Sequence, residues 1–230
     1  MGNDDIEAVA ALGDRTRGRL YRFVRRSRRA VTRDEAAADV GISRKLAAFH
    51  LDRLVRTGLL EATFERPVDE SAAPGRAPKR YKVSGAEIAV SIPDRRYDFV
   101  GEILVDAVTA AGPGEAVAAA AERTAADRGR ALGAELRAET MPGRLGPERS
   151  LVLATAYLSE AGFEPEAAAG EVRLHNCPFH ALAQRAPQLV CGINAAFLGG
   201  FLEGLEARRV HADLDPGAER CCVILRADPA

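Results

Sequence analysis

The sequence predicts a mainly α-helical fold with smaller α+β parts, and three features of its composition lead to this prediction. The 230 residues suffice for one large domain or two small ones. Hydrophobic residues make up 47% of the chain and aromatic residues only 5%, so we expect a core of Leu, Val, Ile and Ala, which favours helices. The net charge of −1 conceals an asymmetry, because residues 1–83 carry 18 Lys and Arg against 12 Asp and Glu, whereas residues 84–230 carry 14 against 21. A basic part followed by an acidic part indicates a module that faces nucleic acid, joined to a module of another kind.

The first part begins with helical patterns. Apolar residues recur near the helical period over residues 6–27, which predicts one helix or two. Asp14 or Thr16 is suited to cap the second of them. Thr32 and Glu35 have the spacing of a capping box, and they predict a further short helix over residues 34–39.

This short helix is predicted to end near Gly41. Ser43 is suited to cap the next helix, which Gly58 ends. Four apolar residues of this helix are predicted to lie on its inner side: Leu46, Phe49, Leu51 and Leu54. Helix, turn and helix in this order form a helix-turn-helix pattern.

The remainder of this part resembles a strand, a loop and a second strand. Residues 59–65 and 80–83 have strand character, and the stretch 67–78 between them is rich in Pro, Gly and Ala. A strand, a basic loop and a strand after a helix-turn-helix form a wing, so residues 14–83 are predicted to be a winged helix-turn-helix. We assign residues 1–85 to this DNA-binding domain.

Winged-helix proteins place the second helix of the motif in the major groove of DNA. Arg44 and Lys45 are suited to guanine edges or phosphates, and the wing is suited to phosphates or the minor groove. His50 either faces the groove or packs against the other helices. The predicted DNA-binding residues are Ser43, Arg44, Lys45, His50, Arg76, Lys79 and Arg80.

The middle of the chain is rich in alanine and helical in period. Residues 95–140 are predicted to form two helices, which a break at residues 112–114 separates. We assign residues 86–147 to a helical linker and dimerisation region, with packing inside one chain as the alternative. A symmetric homodimer is the expected state, because such dimers bind two half-sites of operator DNA.

The last part, residues 148–230, is predicted to be a small α+β sensor domain with an antiparallel sheet. Its expected helices cover residues 151–161, 180–186 and 187–205. Its expected strands cover residues 163–165, 172–176, 210–214 and 222–225, with a turn at Gly170 between the first two.

All four cysteines lie in this last part, at positions 177, 191, 221 and 222, and His180 follows the first of them by three residues. Clustered cysteines in a reducing compartment indicate metal or redox chemistry more often than structural disulfides. The tight Cys pairs of zinc fingers are missing, so the wide spacing favours an iron–sulfur cluster over zinc. Cysteines that serve only as core residues are the alternative.

Neighbouring side chains on a strand point to opposite faces, so we expect only one of Cys221 and Cys222 to reach a shared site. If Val223 and Leu225 face the core, Cys221 faces it as well. The predicted ligand candidates are Cys177, His180, Cys191, Cys221 and Cys222.

The first part resembles ArsR-type winged-helix regulators. The resemblance rests on residues 11–17, 19–20, 41–44, 49–54, 58–60 and 75–81, which match the opening, turn, second helix, exit and wing of such proteins. It implies a winged helix-turn-helix that binds double-stranded DNA.

Most of the chain resembles the SufR-like regulators, which are bacterial repressors of cluster-assembly genes that carry an iron–sulfur cluster. The resemblance rests on the segment Asn176-Cys177-Pro178-Phe179-His180, on residues 190–194 and on the late cysteine pair. It implies a repressor that a [4Fe-4S] or [2Fe-2S] cluster controls. It also implies three cysteine ligands, which fall on Cys177, Cys191 and one of the late pair, and His180 is our candidate for a fourth.

Two alternatives remain open for the sensor. A winged-helix regulator that senses zinc or a small organic ligand is one, since the last part also resembles 4-vinyl-reductase-like ligand-binding domains. An enzyme that uses Cys177 and His180 as nucleophile and base is the other. No Gly-rich phosphate loop or carboxylate pair supports the enzyme, so we expect none.

A membrane partner is not expected. The chain has no apolar run of roughly 20 residues and no apolar signal segment at its start, so we expect a cytoplasmic location.

Overall fold

The computed structural model describes residues 3–64, 77–140, 145–217 and 220–228. In these ranges the chain forms nine helices and seven strands, which confirms a mainly helical protein with small antiparallel sheets. It divides into two compact units, Met1–Val90 and Ser91–Ala230, which we call unit 1 and unit 2. None of the helices in the described ranges is long and apolar enough to cross a membrane.

The described residues of unit 1 form four helices and a three-stranded antiparallel sheet. The helices are α1 (Asn3–Leu12), α2 (Arg15–Ser27), α3 (Arg33–Val40) and α4 (Arg44–Arg56), and the strands are β1 (Val31–Thr32), β2 (Leu60–Thr63) and β3 (Arg80–Val83). The sheet has the order β1-β3-β2, and β3 coincides with the strand predicted at residues 80–83. The predicted Arg76 lies outside the described residues.

Helices α2, α3 and α4 of unit 1 start at predicted capping residues. The Asp14 carboxylate accepts a hydrogen bond of 2.9 Å from a backbone N–H three residues later, which decides between the two predicted caps. Thr32 and Glu35 form the capping box, since each side chain accepts a bond from the backbone N–H of the other residue. The Ser43 hydroxyl accepts a bond of 3.2 Å from the first turn of α4. These bonds satisfy donors that a helix start otherwise leaves unpaired.

Glycines end α3 and α4. Gly41 and Gly58 both have a φ of +73°, a left-handed conformation that strains any residue with a Cβ. Only residues 41–43 separate α3 from α4, so the connection between these helices is a tight turn.

The core of unit 1 lies between its helices and one face of its sheet. The largest fully buried side chains there are Leu20, Leu51, Leu54, Leu60 and Tyr81. The inner positions predicted for Leu51 and Leu54 are therefore confirmed.

The prediction that Leu46 and Phe49 lie on the inner side of α4 is wrong. Leu46 is 42% exposed and Phe49 is 59% exposed. The helix offers two adjacent apolar stripes, and packing against the other helices selects only one of them. The stripe that is buried contains Ala47, His50, Leu51 and Leu54, at the i, i+3, i+4, i+7 spacing of a helix face.

The described residues of unit 2 form helices and one four-stranded antiparallel sheet. Its helices are α5 (Tyr97–Ala110), α6 (Val117–Thr140), α7 (Pro147–Glu160), α8 (His180–Arg185) and α9 (Pro187–Gly204), and its strands are β4 (Pro165–Ala168), β5 (Glu171–Leu174), β6 (Val210–Leu214) and β7 (Val223–Ala227). The sheet has the order β4-β5-β7-β6. The helix break at residues 112–114 and the turn at Gly170 lie where the sequence predicts them, while β4 starts two residues later than predicted.

Glycines allow α6 and α9 to approach each other closely. Gly129 and Gly133 on α6 lie against the backbone of α9, and Gly200 and Gly204 on α9 lie against the backbone of α6. A Cβ added at Gly200 would overlap the Ala126 carbonyl and stand 2.8 Å from its carbonyl carbon. Each of these four positions therefore excludes any side chain, and the two helices pack backbone to backbone.

We expect Gly200→Ala to lower the free energy of unfolding of unit 2 by about 2 kcal/mol or more, because α6 and α9 must move apart to admit the methyl group. Urea unfolding followed by circular dichroism measures the effect. Gly199→Ala is the matched control on the same helix, since a Cβ there meets no atom within 4 Å. It should leave stability unchanged or raise it by up to about 1 kcal/mol, and equal losses for both variants would contradict the close packing.

Candidate functional site

The exposed side of α4 is positively charged. We define the α4 face as its exposed residues Arg44, Lys45, Leu46, Phe49, Arg53 and Arg56. Arg44 lies 3.3 Å from the Asp34 carboxylate, and this ion pair is well exposed to water. Exposed pairs of this kind contribute little to stability, so the Arg44 guanidinium can exchange Asp34 for another anion at small cost.

Asp52 joins α4 to β3. Its carboxylate accepts hydrogen bonds from the Lys79 ammonium at 2.6 Å and from the Tyr81 hydroxyl at 2.8 Å. Partial burial alone would raise the pKa of Asp52, but these two bonds and the charge of Lys79 hold it below its usual range. Tyr81 is a core residue, so Asp52 fixes the start of β3 against the exposed helix.

The structure places the other predicted DNA-binding residues in different surroundings. The Ser43 hydroxyl is used as the cap of α4, and Lys45 is exposed in the first turn of this helix. His50 is only 8% exposed, which favours the packing role for it over the groove-facing one. Arg80 begins β3 and pairs with Thr63 of β2 in the sheet.

The four cysteines of unit 2 come from three separate elements. Cys177 follows β5, Cys191 lies near the start of α9, and Cys221 and Cys222 directly precede β7. The turn before Cys177 is held by Asn176, whose amide donates to the carbonyl of Gly162 and accepts a bond of 2.7 Å from Arg95. These two bonds hold the chain in place directly before Cys177.

Cys191 and Cys222 form a disulfide, with their Cα atoms 6.3 Å apart. The sequence did not predict this bond, because residues 31 positions apart give no local signal of their pairing. The disulfide lies in the wall of a cavity of about 470 Å³. Cys177 and His180 line the same cavity, together with Ala183, Gln184, Pro187, Gln188, Leu214, Pro216, Gly217 and Arg220. Three of the cysteines and the predicted histidine therefore meet around one space.

Cys221 lies on the other side of the strand. It is 3% exposed and shares the core with Val223 and Leu225, as strand alternation predicts. The side-chain amide of Asn194, itself 2% exposed, donates to the Cys221 sulfur at 3.3 Å. No pattern in the sequence marks Asn194 as part of the site.

The thiols of Cys177 and Cys221 are hydrogen-bonded to each other. This bond lowers the pKa of Cys177 to about 7, with further help from a backbone N–H of Phe179 and from the charge of Arg95, while burial opposes the shift. The same bond, together with burial, raises the pKa of Cys221. Cys177 is therefore the more acidic thiol of the pair, and Cys221 is the less acidic one.

In the described residues, no group of three or more His, Cys, Asp and Glu side chains is placed to hold a metal ion. Cys191 and Cys222 are bonded to each other, and a disulfide sulfur is not a thiolate ligand. Reduction of this bond supplies two thiols beside Cys177 in one cavity, and three thiols with a nearby imidazole match the donors that zinc and iron–sulfur clusters take. The donor set fits such a group only in the reduced protein.

No protein-family model and no curated protein sequence matches this chain.

We expect iodoacetamide to alkylate Cys177 in the folded, oxidised protein with a rate that rises through a midpoint near pH 7, because only the thiolate reacts. Buried Cys221 should react only after unfolding. Peptide mass spectrometry at a series of pH values measures both.

The Cys221→Ala variant removes the hydrogen bond, so its midpoint should move up toward the ordinary thiol value of 9.0. An unchanged midpoint in this variant would contradict the thiol pair. Labelling of four thiols per unfolded chain without a reductant would contradict the disulfide.

Proposed function

We propose that this protein is a DNA-binding transcription regulator, acting as a repressor, whose cysteine site holds an iron–sulfur cluster that controls DNA binding. Unit 1 is the reader in this proposal, with a winged helix-turn-helix fold. Unit 2 is the sensor. The observation that carries the proposal is the convergence of Cys177, Cys191, Cys222 and His180 on one cavity of a chain whose other unit exposes a cationic helix.

The arrangement of unit 1 supports the DNA-binding part. Helix α3, a tight turn and α4 occur in the order of a helix-turn-helix, and β2 and β3 follow as an antiparallel hairpin. Arg44, Lys45, Arg53 and Arg56 place four cations on the α4 face. A helix with this charge suits the phosphates and guanine edges of a major groove.

The bonds of Asp52 support a defined geometry between the proposed recognition helix and the proposed wing. Asp52 on α4 binds Lys79 and Tyr81 at the start of β3, so the two DNA-facing elements are connected directly. Asp52 is a positioning residue in this proposal. Lys79 reaches a phosphate only by leaving this carboxylate, so Arg44 and Lys45 are the stronger candidates for DNA contacts.

The cysteine site supports the sensor part. Cys177, Cys191 and Cys222 would hold the cluster, with His180 as the candidate for the fourth position. When bound, a cluster of this kind supplies a redox-active and oxygen-sensitive centre. The core position of Cys221 and its bond from Asn194 favour Cys222 over Cys221 as the third cysteine ligand.

The disulfide and a bound cluster exclude each other, because both would use the sulfurs of Cys191 and Cys222. Cys191 and Cys222 each have one sulfur, which either joins the other sulfur or is free as a thiolate. In the oxidised state the disulfide connects α9 with the strand end before β7, whereas in the reduced state Cys177 after β5 shares in the ligation as well. A two-state element of this kind lets a redox change bias the conformation of the sensor.

The proposal includes a homodimer and a cytoplasmic location. Exposed apolar side chains on α5 and α6, among them Val105, Val108 and Val117, support a role of this region in dimerisation.

A small organic ligand is the second candidate for the cavity. Ala183, Pro187, Leu214 and Pro216 give it an apolar wall, and Arg220 adds a cation. A mostly apolar lining with a few polar groups is typical of small-molecule sites.

We expect the protein to enrich a defined sequence from a library of random DNA duplexes. Arg44→Ala with Lys45→Ala should weaken binding to the enriched site at least about tenfold and flatten its salt dependence, because phosphate and base contacts are lost. Fluorescence anisotropy at several salt concentrations measures both effects.

Arg185→Ala with Arg208→Ala is the matched control, because it removes the same charge from exposed positions of unit 2. It should bind the enriched site like the wild type. Failure of the wild type to enrich any sequence would contradict the DNA-binding proposal.

We expect the reduced protein, reconstituted anaerobically, to be brown and to contain iron and acid-labile sulfide. Cys177→Ser, Cys191→Ser and Cys222→Ser should each lose most of the iron. Cys221→Ser is the neighbouring control and should keep it, because the Cys221 side chain faces the core. Stoichiometric zinc without sulfide would overturn the cluster in favour of zinc, and the absence of any metal would favour an organic ligand.

A further inference from the structure

Two large apolar side chains on the α4 face are exposed. Phe49 is 59% exposed and Leu46 is 42% exposed, and they lie three residues apart on neighbouring turns. Residues at this spacing adjoin each other on a helix, so the two side chains form one apolar patch. Single exposed apolar residues are common on proteins, but this patch occupies the middle of the most cationic side of α4.

Cations flank the patch along the helix. Lys45, Phe49, Arg53 and Arg56 follow one another at intervals of three and four residues, so they lie along one stripe. In the described part of the chain, no carboxylate forms an ion pair with these three cations, and all of them are exposed. Phe49 also packs against buried His50, with the ring centroids 5.3 Å apart in an edge-to-face arrangement, which holds the ring in place.

A partner for this stripe must bring negative charge at its sides and apolar surface in its middle. The major groove of DNA does so, since phosphates border it and the C5-methyl group of thymine is the apolar group on its floor. A second copy of this chain fits less well. Two cationic stripes repel each other, and protein interfaces are depleted of lysine at their centres.

We propose that Phe49, with Leu46 beside it, contacts thymine methyl groups in the major groove and so makes the operator specific for A·T pairs at these positions. This inference rests on the proposed DNA-binding function and adds a specificity-determining residue to it. Arg44 and Lys45 supply charge and contacts to phosphates or guanine in this arrangement, and Phe49 supplies the apolar contact.

The test uses the duplex that the wild-type protein enriches from the random library. Each thymine of the half-site is replaced in turn by deoxyuridine, which lacks only the methyl group. We expect about a fourfold loss of wild-type affinity for each contacted methyl that is removed, the usual effect of exposing one buried carbon. Phe49→Ala should bind the thymine duplex more weakly than the wild type and should lose the preference for thymine over deoxyuridine at the positions that Phe49 contacts.

Val152→Ala is the control, because Val152 is exposed to a similar extent, 66%, and lies on α7 of unit 2. It should keep the full dependence on the methyl groups. Lys45→Ala should weaken binding to both duplexes by the same factor, since it removes a charge and no apolar contact.

The outcomes separate this inference from the function on which it rests. A wild type that enriches a sequence but binds thymine and deoxyuridine duplexes equally overturns the thymine contact alone. A wild type that enriches no sequence overturns both. Sedimentation equilibrium is measured for the same variants, and dissociation of an oligomer by Phe49→Ala would assign the patch to a protein interface and overturn the proposal.

Discussion

The close contact of α6 with α9 sets the geometry of the cysteine site. Gly129 and Gly133 on one helix, and Gly200 and Gly204 on the other, leave no room for a side chain between the two backbones. The position of α9 in unit 2 is therefore fixed to within a fraction of a side chain. Cys191 lies on this same helix, and its sulfur bonds to that of Cys222 just before β7.

Helix and strand periodicity together divide the late cysteines into two roles. Cys221 and Cys222, just before β7, face the core and the cavity respectively, while Cys191 and Asn194 lie three residues apart on α9. Cys222 meets Cys191 at the cavity, and Cys221 meets Asn194 in the core. Helix α9 thus bonds to both Cys221 and Cys222. A change in the bonding of Cys222 at the cavity therefore acts on the chain just before β7, which Cys221 holds in the core. In the proposed function, this connection lets the redox state of the cavity affect the packing of unit 2.

Much of the fold was predictable because its signals are local. The capping box of Thr32 and Glu35, the helix end near Gly41 and the strand over residues 80–83 each depend on a few neighbouring residues, and each was predicted. The inner side of α4 was predicted only in part, since Leu46 and Phe49 extend the apolar pattern that the true core stripe also satisfies. Choosing between these stripes requires the position of the other helices, which one sequence does not contain.

In the candidate site, too, local features were predictable and contacts between distant residues were not. Alternation along a strand separated Cys221 from Cys222, but it did not identify which of them reaches the cavity. The Cys191–Cys222 disulfide, the amide of Asn194 and the bond from Arg95 to Asn176 join residues that are distant in the sequence. The first two depend on how α9 packs, and all three became visible only with the structure.

The most direct test of control by the cysteine site compares two states of one protein preparation. The affinity of each state for the same DNA duplex is measured. The duplex is the one enriched by the wild type, and the states are the anaerobic cluster-loaded protein and the air-oxidised protein with the Cys191–Cys222 disulfide. We expect the two dissociation constants at the same salt concentration to differ at least about tenfold, the coupling typical of a regulatory site. Equal dissociation constants, with iron, sulfide and disulfide content verified in each sample, would contradict it.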